Sequence, residues 1–397
     1  MRVSSGMIFD AGVQSMQKQS AALLSTQQQV ASGRRILSPS DDPVAAARAL
    51  EVSQAQSSNS QYLVNQKAAG EALGLQDGAL TSVTDLIQAA RTLAVQAGSP
   101  VLNASDRQSI AGELRERFDE LLGLANGKDA GGQSLFAGYM GGTTPFAGSV
   151  AGGVAYAGDS GQRMLQVSAS RQIAISDAGS DVFMRIRSGN GTFSTAAAAT
   201  NVGSGVIDAG SVVGAFVPDT YTITFAPAGT GLNYTVTGTV SGVVAAGAFQ
   251  SGQAMVFNGA SVAITGTPAA TDQFTVTSST SQSLFATLAN LITAIEAPVT
   301  GGNTLLSNRL GSALRNLDQA QDNILAVRAA VGARQNEVDA LASAGADLNL
   351  QYAQVLSRLQ DVDYAEALSR LTQQQTYLEA AQKSFLKVSG LSLFNFV

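Results

Sequence analysis

The chain has 397 residues, 45% of them hydrophobic and 13% charged, with 41 Gly, no Trp and a formal net charge of −6. That length exceeds one ordinary core and predicts two or three domains, the hydrophobic share argues against wholesale disorder, and the acidic balance gives no footprint for nucleic acid or an anionic membrane. With no His and no Cys, the usual zinc sets, thiol nucleophiles and Ser-His catalysis are excluded, and only carboxylate, Lys or Tyr chemistry remains.

Phe9, Met16, Leu23 and Val30 recur every seven residues through a Gln- and Ser-rich stretch. This predicts a first helix that stops at SGRRILSPSDDP, Ser32 to Pro43. Asp42-Pro43 reads as an N-cap followed by proline at the first helical position. From there two interleaved series run on, Tyr62, Ala69, Gln76, Val83, Ala90 and Leu73, Leu80, Ile87, Ala94. They predict one helix from Val44 to Ala97, roughly 80 Å long at the α-helical rise. Gly70, Gly74 and Gly78 share one stripe of it, either as tolerated glycines or as a place where a neighbouring backbone comes close.

Gly98-Ser99-Pro100 ends that helix, and Ser105 with Gln108 has the pattern of a capping box that starts another. Its apolar face is Ile110, Leu114, Phe118 and Leu121, up to Asn126-Gly127, which makes an αα-hairpin. From Gln133 short Gly-punctuated runs follow: SLFAGY, Gly152 to Tyr156, MLQVSA, RQIAIS and SDVFMRI, all read as strands. Residues 190–282 then alternate in TYTITF, NYTVTG, AMVFNG, SVAITG and QFTVTS, the pattern of a small antiparallel β domain. No strand-GxxxxGK[ST]-helix unit accompanies the glycines, so there is no phosphate loop.

Helix returns at Ser283 with Leu284, Leu288, Leu291 and Ile295 on one face, and breaks at Pro298 to Asn303. Leu310, Leu317, Ile324, Val331 and Val338 then repeat every seven residues, on through Gly345 to Tyr352 and Leu359. The next seam residue, Tyr364, comes five positions later, where Asp363 and Glu366 offer an N-cap and an acidic third position. The last helix carries Ala367, Leu371, Gln374, Leu378, Ala381, Phe385 and Val388 alternately four and three apart. Ser389-Gly390 reads as its stop, before an apolar tail with Leu391, Leu393, Phe394 and Phe396.

The fold class expected is mainly α with a β insertion: a long-helix, coiled-coil-like bundle built by the N- and C-terminal arms, with a small antiparallel β domain in the middle. Three domains are expected: residues 1–40 with 361–397 as terminal helices, 41–189 with 283–360 as the long-helix bundle with β-hairpins, and 190–282 as the β domain. The seams of the long helices read as intramolecular core. Those of the terminal helices read as an assembly interface, because two thin helices with Gln374 and Gln375 on or near the seam cannot make a core alone. Asp41-Asp42 and Asp361-Asp363 could be imagined as catalytic pairs, but they sit at helix starts without cleft residues and are read as caps and connectors. No catalytic residue, metal or cofactor is expected. No basic segment with an apolar run marks a signal peptide, and no span is long enough to cross a membrane.

SGRRILSPSDDPVAAARALE near the start, and DVDYAEALSRLTQQQTYLEAAQKSF with LSLFNF at the end, resemble the flagellin family of bacterial flagella, and within it the branch that joins hook to filament. The resemblance covers roughly the first 185 and the last 115 residues, with the middle looser. It implies a structural, non-enzymatic protein of the hook-filament junction, exported unfolded without a cleaved signal. Its terminal helices would pack around a central channel at Phe9, Met16, Leu23 and Val30, at the last helix's seam, and at Leu393, Phe394 and Phe396, while the β region projects outward. The partners implied are other copies of itself, the first hook-associated protein, flagellin and a cytoplasmic export chaperone, with neither nucleic acid nor membrane. The alternatives are the filament subunit itself and, more remotely, a secreted carbohydrate-binding protein.

Overall fold

The computed structural model describes residues 5–298 and 303–390. Six helices carry it: α1 Ser5–Ser32, α2 Pro43–Ala97, α3 Ala104–Ala125, α4 Leu284–Glu296, α5 Thr304–Gln360 and α6 Tyr364–Gly390. The chain divides into two compact units, Met1–Val64 with Leu341–Val397, and Asn65–Ala340.

In the first unit the connectors at both ends of the arms are held by caps and by each other. The Asp42 carboxylate accepts from the Ala45 amide at 3.0 Å, and Asp363 accepts from the Ala365 amide at 2.9 Å, so each closes a helix start that would otherwise leave donors open. Asp41 accepts from the amides of Leu37 and Ser38. Between the connectors the Arg35 amide donates to the Gln360 carbonyl at 2.7 Å and the Val362 amide to the Gly33 carbonyl at 3.0 Å. One sequence expectation is corrected here: Val362, at 7% exposure, is the buried residue at the seam break, whereas Tyr364 is 53% exposed. The cross-connector bonds turn the chain at residue 361, so the phase restarts before the cap. Further along, the Asn59 amide donates to the Gly345 carbonyl at 2.7 Å, and a Cβ on Gly345 would lie 3.0 Å from Leu63, so this position in the α5 series is glycine for closeness to α2.

The second unit owns the main cores. Ala69, Leu73, Leu80, Val83, Ile87, Ala90 and Ala94 of α2 are buried, as are Leu310, Leu317, Ile324, Val331 and Val338 of α5. Gly74 and Gly78 have nothing within 4 Å of an added Cβ and Gly70 only Val338 at 4.0 Å, so within this unit they are tolerated glycines. A buried polar knot fixes the elements against one another: Asp177 accepts from Gln76 at 2.6 Å, Gln162 at 2.8 Å and Arg334 at 2.5 Å, while Arg334 also donates to the Ala174 carbonyl. Charge of this kind tolerates only one register.

The start of α3 differs from the expected Ser105-Gln108 box. Asn103 caps it, with the Asp106 amide donating to Asn103 Oδ1 at 2.9 Å and the Asn103 amide to Asp106 Oδ2 at 3.1 Å, the same reciprocal pairing made two residues earlier by an Asn and an Asp. Two expected strands are also corrected. SLFAGY forms turns, and SDVFMRI forms a single π-helical turn at Ser180–Met184 followed by the two-residue strand Ile186–Arg187. Their side chains explain it: Phe136, Phe146, Phe183 and Phe285 pack edge-on or tilted with centroids 5.2–6.2 Å apart, and Phe118 meets Phe285 at 5.9 Å. A short apolar run can enter a core in any backbone form that satisfies its amides. Here the Leu135 amide reaches the Gly127 carbonyl and the Gly179 amide the Phe136 carbonyl.

The inserted β region has a five-stranded antiparallel sheet in the order Gly242–Ala248, Gly231–Gly238, Thr220–Ala228, Gln273–Ser278, Phe193–Ala197. A second sheet pairs Ala254–Phe257 with Ala260–Thr265, which also pairs with Val206–Ile207 and Ser211–Val212. Tyr221, Ile223, Val236, Phe257, Ile264 and Phe274 belong to its own buried core. It is moored to α5 by a polar stripe at four-residue spacing: Asn308 binds the Ile207 amide and Gly205 carbonyl, Ser312 the Thr195 carbonyl, and Asn316 the Gly189 amide.

Candidate assembly interface

Helices α1 and α6 lie antiparallel within the first unit. At one end the connectors pair as described, and at the other the rings of Phe9 and Phe385 meet at 5.0 Å, tilted by 51°. Along α6 the side chains of Leu371, Gln374, Leu378, Ala381 and Phe385 are half-buried and Ala367 is fully buried, while the residues between them are exposed. Met16, Leu23 and Val30 of α1 are likewise half-buried, whereas Phe9 remains 51% exposed despite its contact with Phe385. The side chain of Val388 and residues Leu393, Phe394 and Phe396 lie outside the described residues.

A second α1 series, three residues on from the apolar one, was not legible as hydrophobic. Gly12 and Gln19 are half-buried and Thr26 is buried, so the inner stripe of α1 alternates apolar with small or polar residues. Each has a local cause. A Cβ on Gly12 would lie 2.8 Å from the Phe385 ring, so the glycine makes room for it. Thr26 donates its hydroxyl to the Ala22 carbonyl of its own helix. The Gln19 and Gln374 carbonyl oxygens are buried with no hydrogen bond among the described residues, and both lie on the seam. The available signal was the seven-residue spacing itself, offset by three.

One-sided burial leaves much apolar surface on the outside of this pair. Met7, Leu24, Leu368, Tyr377 and Leu386 are exposed, Leu386 by 70%. Beside the Ser32–Pro43 connector a groove of about 240 Å³ is lined by Ile36, Leu37, Pro39, Ala46, Ala49 and Leu50, of which Leu50 is largely exposed. Monomers seldom leave this density of large apolar side chains on thin elements unless something covers them. Chemically the surface offers packing and little else: ion pairs along α6 reduce to the exposed Glu366–Arg370 pair at 3.9 Å among the described residues. No cluster of three or more acidic residues able to hold a metal occurs among the described residues, nor any helix long and apolar enough to cross a membrane.

Comparison with known proteins reports on the same segments. The family model described as the bacterial flagellin N-terminal helical region matches residues 3–140, and that of the bacterial flagellin C-terminal helical region matches residues 314–396. The chain is 28% identical over 397 residues to flagellar hook-associated protein 3 of Escherichia coli, with 99% of each chain covered, and 27% identical to the Salmonella typhimurium protein of the same name, again with 99% of each covered. Among solved structures it resembles the flagellar junction protein FlgL of Legionella pneumophila, with a TM-score of 0.73 and 33% identity over 79% of this chain and 100% of that one.

Proposed function

The chain belongs to the flagellin family, and we propose that it forms the junction layer between the hook and the filament of the bacterial flagellum, onto which flagellin assembles. It is a structural component of the flagellum, made to assemble with its own copies and with other flagellar proteins. The observation that carries this is the α1–α6 pair: a seam buried on one side only, with Phe9, Leu24, Leu368 and Tyr377 left exposed. An enzyme would need a cleft with converging ionisable groups, and the carboxylates at Asp42 and Asp363 are occupied as helix caps.

On this reading the proximal partner is the first hook-associated protein, the distal partner is flagellin, and a cytoplasmic chaperone accompanies export. The assembly residues are Phe9, Met16, Leu23 and Val30 with the seam from Ala367 to Val388 and the tail at Leu393, Phe394 and Phe396. A three-part division, with 1–40 and 361–397 innermost, 41–189 with 283–360 around them and 190–282 outermost, suits the inner position of the arms. The test is immunogold labelling of intact flagella with antibody against residues 190–282. A single band of label where hook meets filament is expected, and label along the whole filament would make the chain a filament subunit instead.

A further inference from the structure

The inserted β region carries a cleft of about 300 Å³ between the end of strand Gly242–Ala248 and strand Ala254–Phe257. Tyr234, Gly247, Phe249, Gln250, Gln253 and Met255 line it, and no Asp, Glu, Lys or Arg does. Its rings are fixed in place. Tyr234 stands directly opposite Gly247 across the strand pair, with ring atoms 3.3–3.5 Å from where a Cβ on the glycine would be. Phe249 is held edge-on by the buried Phe225, with centroids 5.2 Å apart at 85°, and its amide donates to the Leu232 carbonyl at 2.7 Å. On the rim a turn closed by the Gln253 amide and the Gln250 carbonyl holds the two glutamines together. Both glutamines are exposed and line the cleft together with the half-buried Tyr234.

We propose that this cleft binds a neutral sugar ring of an uncharged oligosaccharide. The accessible parts of the Tyr234 and Phe249 rings offer a small apolar contact to a pyranose, and amide and phenol groups that both donate and accept suit its hydroxyls. A charged ligand would surrender its hydration for no counter-charge, since the lining is uncharged. An extended peptide adding to the free edge of Gly242–Ala248 is disfavoured, because the pairing with Gly231–Gly238 shifts register at Val236/Thr237 and the resulting bulge bends that edge. The volume accommodates one or two rings, at the small end of ligand clefts.

Saturation-transfer NMR on the full chain tests this, with maltotetraose, cellotetraose and chitotetraose as neutral probes, sialyllactose as the anionic control and an uncharged hexapeptide of alternating Val and Thr as the strand control. Transfer from aromatic protons to the ring protons of at least one neutral tetrasaccharide is expected, with affinity lowered roughly tenfold in Tyr234→Ala and several-fold in Gln250→Ala/Gln253→Ala. The glutamines are exposed, so that double variant keeps the fold even if Tyr234→Ala does not. The proposal is overturned if no neutral tetrasaccharide shows transfer, if the glutamine variant binds as the parent does, or if only sialyllactose or the peptide binds.

Discussion

Replacing Leu378 with Asp separates what the terminal helices do alone from what they do in an assembly. Leu378 sits mid-seam and is only half-buried in the single chain. Full burial of a leucine is worth about 1.5–3 kcal/mol, so about half of that is realised within the α1–α6 pair, and on the proposed function the remainder would come from a neighbour. The substitution should therefore cost the isolated chain about 1 kcal/mol, all of it in the first unit, and leave the melting of residues 65–340 unchanged. Assembly is different. The residues three and four positions away are Gln374, Gln375, Ala381 and Gln382, none of which can pair a carboxylate as a base would. An unpaired charge at a dry contact adds several kcal/mol per copy, repeated in every subunit of the layer. Cells carrying Leu378→Asp should keep their hooks, secrete the variant and shed unattached flagellin, scored by electron microscopy and by blotting the medium. Firmly attached filaments of normal length on that variant would refute the reasoning.

Three further outcomes follow from other parts of the chain. Amides of α1 and α6 should exchange with solvent quickly in the monomer and become protected on assembly, read by hydrogen-exchange mass spectrometry; slow exchange over residues 364–388 in a monodisperse monomer would contradict this. Asp177→Ala strands the Arg334 guanidinium and two glutamine amides in a buried site, so urea unfolding should show a loss of about 3–5 kcal/mol, whereas a loss below about 1 would mean the knot carries no structural weight. Dehydration in its turn raises the Asp219 carboxyl, but donors from the Ser241 amide and hydroxyl and from the Thr220 and Val240 amides outweigh it and hold it at about 2, below the ordinary 3.8. A lowered folded value means that the turn's support is complete above about pH 4 and is lost as pH falls toward 2. The Ser241 amide resonance should accordingly titrate with a midpoint near the low end of that window, and a midpoint at the ordinary aspartate value would sink this account.

What the sequence made legible depended on which groups carry the order. Long periodic series were readable because burial alone selects Leu73, Leu80, Ile87, Leu317, Ile324 and Val331, whatever lies opposite. The caps at Asp42 and Asp363 were readable because a local hydrogen bond fixes them. By contrast, the Asn308-Ser312-Asn316 stripe binds backbone groups from residues 189 to 207, over a hundred positions away, and no spacing within α5 distinguishes it from a solvated face. The strands Phe193–Ala197 and Gly242–Ala248 were missed for a related reason: at the sheet's edges, small residues suffice, and FSTAA and GVVAAGA lack the alternation that marks a half-buried strand. SLFAGY and SDVFMRI failed in the other direction, since an aromatic cluster needs their side chains but not any particular backbone.

The polar residues on the α1–α6 seam then acquire a common reason. A seam meant to stabilise one chain would fill the second α1 series with leucine, yet it holds Gly12, Gln19 and Thr26, and α6 answers with Gln374. Each lowers the strength of the pair: the glycine adds no apolar area, and the glutamine oxygens are buried without a hydrogen bond among the described residues. Because the second unit has cores of its own, weak arms do not endanger the fold. On the proposed function, they make the ordering of the terminal helices depend on contacts from outside the chain. A leucine zipper in place of this seam would satisfy itself in the monomer and have less to gain from a neighbour. Coupling the order of the arms to assembly requires a seam that is good enough to choose a register and too poor to stand alone, and a polar residue on a coiled-coil seam fixes register at a cost in stability.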